Sequence, residues 1–145
     1  MALYRHILLV VDLSEDSLAI ARKGTALAQA LGAQLELLHV VEFVPVEPMG
    51  ETLLPSVQME DELIERSEQR LKALAAELGL DSTVCRVESG NVKSEIVRVA
   101  RERKADLIIL GSRERHGLSI LVNLTEDTVL HAAPCDVLAM RATKS

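Results

Sequence analysis

Five short apolar runs alternate with helical patterns along this chain, and this alternation is the strongest constraint on its fold. Runs rich in Val, Ile and Leu predict strands at 5–12, 34–42, 83–87, 106–111 and 136–140. The helical periodicity predicts helices from Ser14 to about Leu31, over 58–78, after Asn91, and from about Ser119 to Ala132. Because strands and helices alternate, we expect an α/β fold with a five-stranded parallel sheet, helices on both faces and right-handed crossovers. The residues leave two strand orders open, the flavodoxin-like order and the order 3-2-1-4-5.

Residues with capping preferences mark the ends of the predicted helices. Ser14 is expected to be the N-cap of the first helix, with Glu15 and Asp16 in its first turn, and Gly32 is expected to end that helix. Asn91 is expected to cap the third helix. The third strand is the most polar of the five, which is typical of a strand at the edge of a sheet.

The composition fits one domain with an aliphatic core. The 145 residues are 48% apolar, yet they include no Trp, one Tyr and one Phe. A chain of this length forms a single domain in most cases, so we expect residues 1–145 to fold as one unit. The stretch from about Phe43 to Ser56 contains Pro45, Pro48 and Pro55, and it is interpreted as a loop inside the domain.

The charge and the chain's first residues exclude several classes of protein. A net charge of -6 argues against a broad surface for nucleic acid or for an anionic membrane. No apolar stretch reaches the ~18–20 residues of a transmembrane helix, and the N-terminus has no signal-peptide pattern. We therefore expect a cytoplasmic protein, in which Cys85 and Cys135 are buried free thiols.

No pattern of catalytic or metal-binding residues is present, so we expect a protein that is not an enzyme and holds no metal. There is no Gly-x-Ser-x-Gly elbow, and no two of the four histidines share metal-ligand spacing on one element. His6 and His39 fall in strands and His131 near a helix C-terminus, where structural roles are expected. Asp12 lacks the acidic cluster and the later Lys that a phosphorylated receiver domain needs.

Two strand ends mark the most informative part of the sequence. Asp12 follows the first strand and Gly111 ends the fourth, and ligands of open parallel sheets bind at carboxyl ends of strands where the strand order reverses. In the order 3-2-1-4-5 the reversal lies between these two strands, which makes Asp12 and Gly111 neighbours. The loop from Gly111 to Gly117 has no Walker A or Gly-x-Gly-x-x-Gly pattern. Its glycines and its cations, Arg113, Arg115 and His116, are compatible with anion binding, whereas Glu114 opposes it, and a solvated loop is the alternative.

At these residues the chain resembles the universal stress protein family. The resemblance covers essentially the whole chain and rests on Ile7–Ser17, Leu37–Val41, Ala105–Arg113 and Ala133–Leu138. It implies a Rossmann-like sheet in the order 3-2-1-4-5, an architecture shared with adenine nucleotide α-hydrolases, although the signature loop of those enzymes is not found here. The resemblance also implies a homodimer, commonly formed through the last strand, which here is Asp136 to Met140.

The family has an ATP-binding branch, and this chain departs from that branch's motif. The motif is Gly-x-x-Gly, then nine intervening residues, then Gly followed by Ser or Thr. Gly111 matches the first glycine, Glu114 stands at the second, and Asn123-Leu124 stands where the later pair is expected. We therefore expect a stress-response factor with a degenerate nucleotide pocket and no cofactor; an ATP- or AMP-binding regulatory module is the alternative. For that alternative, the resemblance implies contacts from Val11, Asp12, Val40, Gly111, Arg113 and Thr125.

Overall fold

A parallel sheet of five strands organises the part of the chain that the computed structural model describes, residues 3–42, 53–80, 83–112, 129 and 131–141. The elements are β1 (His6–Val10), α1 (Ser17–Leu31), β2 (Gln34–Val41), α2 (Leu53–Glu77), β3 (Val84–Ser89), α3 (Val92–Glu102), β4 (Leu107–Ser112) and β5 (Asp136–Arg141). The strand order is β3-β2-β1-β4-β5, and all four pairings are parallel. This order confirms the predicted α/β fold, decides against the flavodoxin-like alternative, and places the polar β3 at an edge as expected.

The helices cover both faces of the sheet because successive strand residues point to opposite sides. On one face, Ile7, Leu9 and Ile109 pack with residues of α1 and with Leu71 and Ala75 of α2. On the other face, the alternate strand residues pack with α3 and with Val129; they include Leu8, Leu38, Val40, Ile108 and Leu110. Both halves of the core are aliphatic, as the composition predicts.

Helix ends agree with the sequence at some positions and differ at others. Gly32 ends α1 with a φ of +66°, and the Asn91 side chain accepts a hydrogen bond of 3.1 Å from Ser94 N, so both caps are confirmed. The N-cap assigned to Ser14 is wrong, because α1 begins at Ser17 and its N-cap is Asp16. Ser14 instead directs its backbone N–H and its hydroxyl to Asp12.

Two further predictions concern regions next to the undescribed residues. α2 begins at Leu53, earlier than the predicted residue 58, and it takes in Pro55, which the first turn of a helix tolerates. The rest of the predicted 43–56 loop, residues 43–52, lies outside the described ranges. Most of the helix expected from Ser119 to Ala132 also lies outside them, while residues 129 and 131–132 are helical.

A buried carboxylate ties α3 to the sheet at the edge opposite the carboxyl ends of the strands. Glu36 on β2 is only 4% exposed, and Arg103, just after α3, donates to it through Nε at 2.8 Å and through Nη2. His6 Nε2 lies 3.4 Å from Glu36 Oε2. Burial raises the pKa of Glu36, but Arg103 and His6 outweigh burial, so the pKa lies below its ordinary value of 4.5. Glu36 is therefore ionised at neutral pH, and its ion pair with Arg103 fixes the end of α3 against β2.

Candidate functional site

The carboxyl ends of β1, β2 and β4 lie together and form the crevice that the strand order predicts. Leu9 pairs with Ile109, and two residues further along lie Val11, just past the end of β1, and Gly111, still within β4 and paired with Met140. Val11 N donates to Leu38 O at 2.8 Å, which brings in the end of β2 with Val40. Of the predicted contact residues, Val11, Asp12, Val40 and Gly111 thus lie at this edge, whereas Arg113 and Thr125 lie outside the described residues.

Asp12 is exposed in this crevice, and its carboxylate is oriented by its own loop. Its Oδ1 accepts hydrogen bonds from Ser14 N at 3.0 Å, from Ser14 Oγ at 2.6 Å and from Ser17 Oγ at 2.8 Å. An Asp that accepts from the backbone two residues on is a common turn former. The two serines therefore hold the carboxylate in one orientation at the start of α1.

The loop that carries Asp12 has a constrained backbone. Leu13 adopts a φ of +58°, a left-handed conformation that is uncommon for a residue with a branched, buried side chain. Side chains from two other elements hold the carbonyl groups on either side of Asp12. His39 Nδ1 lies 2.7 Å from Val11 O, and Arg70 Nη2 donates to Leu13 O at 2.5 Å. The loop is thus held by β2 and α2 as well as by its own serines.

His39 is a neutral donor in this arrangement. Burial lowers its pKa, and the positive charge of Arg70 adds to this, against the opposing effects of the Val11 bond and of Asp12. Because Val11 O can only accept, the proton of the neutral ring is on Nδ1. The histidine in the crevice therefore contacts a backbone carbonyl.

The sequence indicated neither His39 nor Arg70 as a site residue. A structural role was expected for His39, and Arg70 was one of several alternating charges on the longest helix. Their contacts with the loop depend on how β2 and α2 lie against the end of β1. No local pattern in the sequence reports that packing.

Gly111 has a packing role that involves no ligand. A Cβ built at this position would lie 2.5 Å from Ile20 Cδ1, which is closer than two carbon atoms approach without a shift. Ile20 is a buried residue of α1, so α1 lies against β4 where the glycine has no side chain. The first glycine of the family motif is therefore explained by helix packing in this chain.

Comparisons with known proteins identify the family. Residues 3–141 match the model of the universal stress protein family. The chain belongs to the universal stress protein family. A universal stress protein A homolog of Coxiella burnetii is 35% identical to it over 139 residues, which cover 95% of each protein.

Solved structures of universal stress proteins share the fold. The UspA structure from Lactobacillus plantarum has a TM-score of 0.73 at 25% identity and covers 95% of this chain and 98% of its own. A universal stress protein in complex with cAMP has a TM-score of 0.70 at 22% identity and covers 99% and 100% of the two chains. These likenesses agree with the strand order described above.

The cysteines of this universal stress protein are free and half-buried, less buried than expected. Cys85 lies in β3 and Cys135 directly precedes β5, and burial raises the pKa of both thiols. Because the thiolate is the reactive form, a raised pKa disfavours redox or nucleophilic chemistry at both positions. In the described ranges, no helix has the length and apolar character to cross a membrane, and no cluster of side chains there suits a metal ion.

Proposed function

We propose that this universal stress protein is a cytoplasmic, homodimeric stress-response factor without enzymatic activity, whose crevice has lost the family's binding site for a triphosphate. One observation carries the proposal. Of the motif positions that define the ATP-binding branch, the chain retains only Gly111, and Ile20 packs where a side chain at that position would lie.

The residues at the other motif positions oppose triphosphate binding on physical grounds. Glu114 places a negative charge and a side chain where a phosphate needs a close backbone N–H. Asn123 restricts the backbone more than glycine does, and Leu124 has no hydroxyl group to donate. The loop is also one residue shorter than the common ATP-binding form.

The crevice groups also support a role without catalysis. A serine or cysteine nucleophile needs a base within hydrogen-bonding reach. His39 contacts the Val11 carbonyl, and Ser14 and Ser17 donate to the Asp12 carboxylate. These contacts fix the shape of the loop, and they pair neither serine with the histidine.

Restoring glycine to the loop should create ATP binding. We expect the double variant Glu114→Gly/Asn123→Gly to bind ATP–Mg²⁺ in isothermal titration calorimetry, because it removes one negative charge and frees the backbone at two motif positions. Glu114→Gln is the matched control, since it removes the charge but keeps the side chain. A double variant that binds ATP no better than the wild type would contradict the loop argument.

The proposed dimer forms through β5, an edge strand of the sheet. Leu138 on β5 is 37% exposed, and among the described strands β5 has a neighbour, β4, on one side only. An unpaired edge strand can pair with its symmetry mate in an isologous interface. β3 lies at the opposite edge of the sheet and provides a control position, because Val84 there is exposed to a similar degree, at 47%.

A charge on β5 should therefore dissociate the dimer. We expect Leu138→Asp to give the monomer mass in multi-angle light scattering, because it places a carboxylate in an apolar contact. Val84→Asp places the same charge on the opposite edge and should leave the dimer intact. A dimer that survives Leu138→Asp but dissociates in Val84→Asp would reject β5 as the interface.

The second candidate function is that of a regulatory module that binds an adenine nucleotide in the same crevice. Two observations favour it: a universal stress protein of the same fold was solved with cAMP, and Asp12 is exposed at the end of β1. The predicted contacts would come from Val11, Asp12, Val40, Gly111, Arg113 and Thr125, with ATP or AMP as the ligand.

A further inference from the structure

We propose that Arg70 is the anion-contacting residue of the crevice and that it selects a nucleoside monophosphate, open or cyclic, over the free nucleoside and over ATP. This inference rests on the second candidate function, since it needs a nucleoside to enter the crevice. It adds a residue of α2, an element to which no motif assigns a part in binding.

Arg70 lies on α2 and contacts the loop that follows β1. Its Nη2 donates to Leu13 O at 2.5 Å, so the guanidinium group lies at the residue that follows Asp12. Its charge is also close enough to His39 to contribute to the lowered pKa of the imidazole. Arg70 therefore faces the same loop that presents the exposed Asp12.

Arg70 differs from the ion-paired arginines in the described part of the chain. Arg86, Arg98 and Arg103 each form an ion pair with at least one glutamate. For Arg70, the described residues provide a neutral carbonyl and no carboxylate in an ion pair. A guanidinium group has five N–H donors, and the Leu13 bond uses one of them. The remaining donors, which make no ion pair with a carboxylate of the described residues, suit a phosphate oxygen.

The position of Arg70 favours a short ligand. In dinucleotide-binding Rossmann folds an acidic side chain about 20 residues beyond the first turn hydrogen-bonds the ribose. Asp12, just past the end of β1, offers the same chemistry on the neighbouring strand. If Asp12 binds the sugar, a single phosphate on that sugar stays beside the Asp12–Leu13 loop, where Arg70 lies. A triphosphate needs further phosphate contacts, and at the second glycine of the family's phosphate-binding motif the sequence has Glu114, whose negative charge opposes them.

Calorimetric titration of the full chain with adenosine, AMP, cyclic AMP, ATP and inorganic phosphate tests this proposal. For the wild type we expect the two monophosphates to bind about tenfold more tightly than adenosine, the usual size of one hydrogen bond to a charged group. ATP and phosphate alone should bind more weakly than AMP. Arg70→Gln should reduce AMP affinity to that of adenosine, and Arg70→Lys should restore part of the difference.

Adenosine separates direct contact from mere positioning of the loop. If Arg70 only holds Leu13, Arg70→Gln will weaken adenosine and AMP by the same factor, and the proposal is overturned. Arg66→Gln, one turn earlier on α2 and exposed, is the matched control and should change neither affinity. If Arg113→Gln removes the preference for AMP while Arg70→Gln keeps it, the anion contact lies in the other loop and the proposal is also overturned.

The failures of the two proposals are distinguishable. A wild-type protein that binds neither adenosine nor AMP contradicts the second candidate function and this inference together. A wild-type protein that binds both equally well retains a nucleoside site and contradicts the role of Arg70 alone.

Discussion

Replacing Arg103 with methionine should lower the melting temperature by about 5 °C at neutral pH, because it leaves a buried carboxylate without its main partner. Glu36 accepts hydrogen bonds from Arg103 Nε and Nη2, and His6, whose Nε2 lies 3.4 Å from Glu36 Oε2, is the other basic side chain beside it. Since Arg103 is itself 41% exposed, we expect an effect below that of a fully buried pair.

The contribution of Glu36 to the pH dependence of stability should change sign in the Arg103→Met variant. In the wild type the pKa of Glu36 is lowered, so its contribution is complete at neutral pH and is lost as pH falls through that depressed pKa, below 4.5. Without Arg103, only His6 opposes the effect of burial, and we expect burial to dominate and to raise the pKa of Glu36. Stability of the variant should then increase as pH falls from neutral towards the ordinary carboxyl range.

Thermal unfolding followed by circular dichroism over this pH range measures both effects. Glu36→Leu/Arg103→Met is the matched control, because it replaces the whole pair with apolar side chains and should recover most of the lost stability. Equal losses in the single and double variants, with no change in pH dependence, would show that the ion pair is not what holds α3 to β2.

Gly111→Ala should destabilise the protein by about 1 kcal/mol, because the new methyl group would lie 2.5 Å from Ile20 Cδ1, the end of a buried side chain that has to shift. The backbone does not require glycine at this position, since its φ is not in the left-handed region. The cost arises from overpacking between α1 and β4. Ile20→Val removes the Cδ1 atom in question and is the partner substitution of a double-mutant cycle.

The cycle tests the packing role of Gly111 directly. We expect Gly111→Ala to cost much less in the Ile20→Val background than in the wild type, as measured by denaturant unfolding. Additive effects would mean that the two positions do not compete for space. Strong coupling would establish that this motif glycine is needed for the fold, whether or not a nucleotide binds beside it.

The strand pattern and several helix ends could be predicted from the sequence because their signals are local. Apolar runs predicted four of the strands and a short polar alternation predicted β3, and Gly32 and Asn91 predicted two caps, since each signal depends on its own neighbours. The start of α1 could not be predicted, because the Ser14 hydroxyl could either accept from a backbone N–H as an N-cap or donate to Asp12. In the fold it donates to Asp12, and the helix begins later.

The candidate site was predictable only in part. The strand order follows from the family resemblance and places Val11, Asp12, Val40 and Gly111 at one edge. The contacts from His39 and Arg70 depend on how distant segments pack against the loop after β1. The packing role of Gly111 likewise depends on the position of α1, which a motif does not contain.

Titration of the wild-type protein with millimolar ATP–Mg²⁺ in a calorimeter tests the central claim most directly, because that claim concerns the loss of triphosphate binding. The account predicts heats of dilution only, with no saturation. Saturable binding with one ATP per chain would contradict it, and would show that the crevice binds a triphosphate despite Glu114, Asn123 and Leu124.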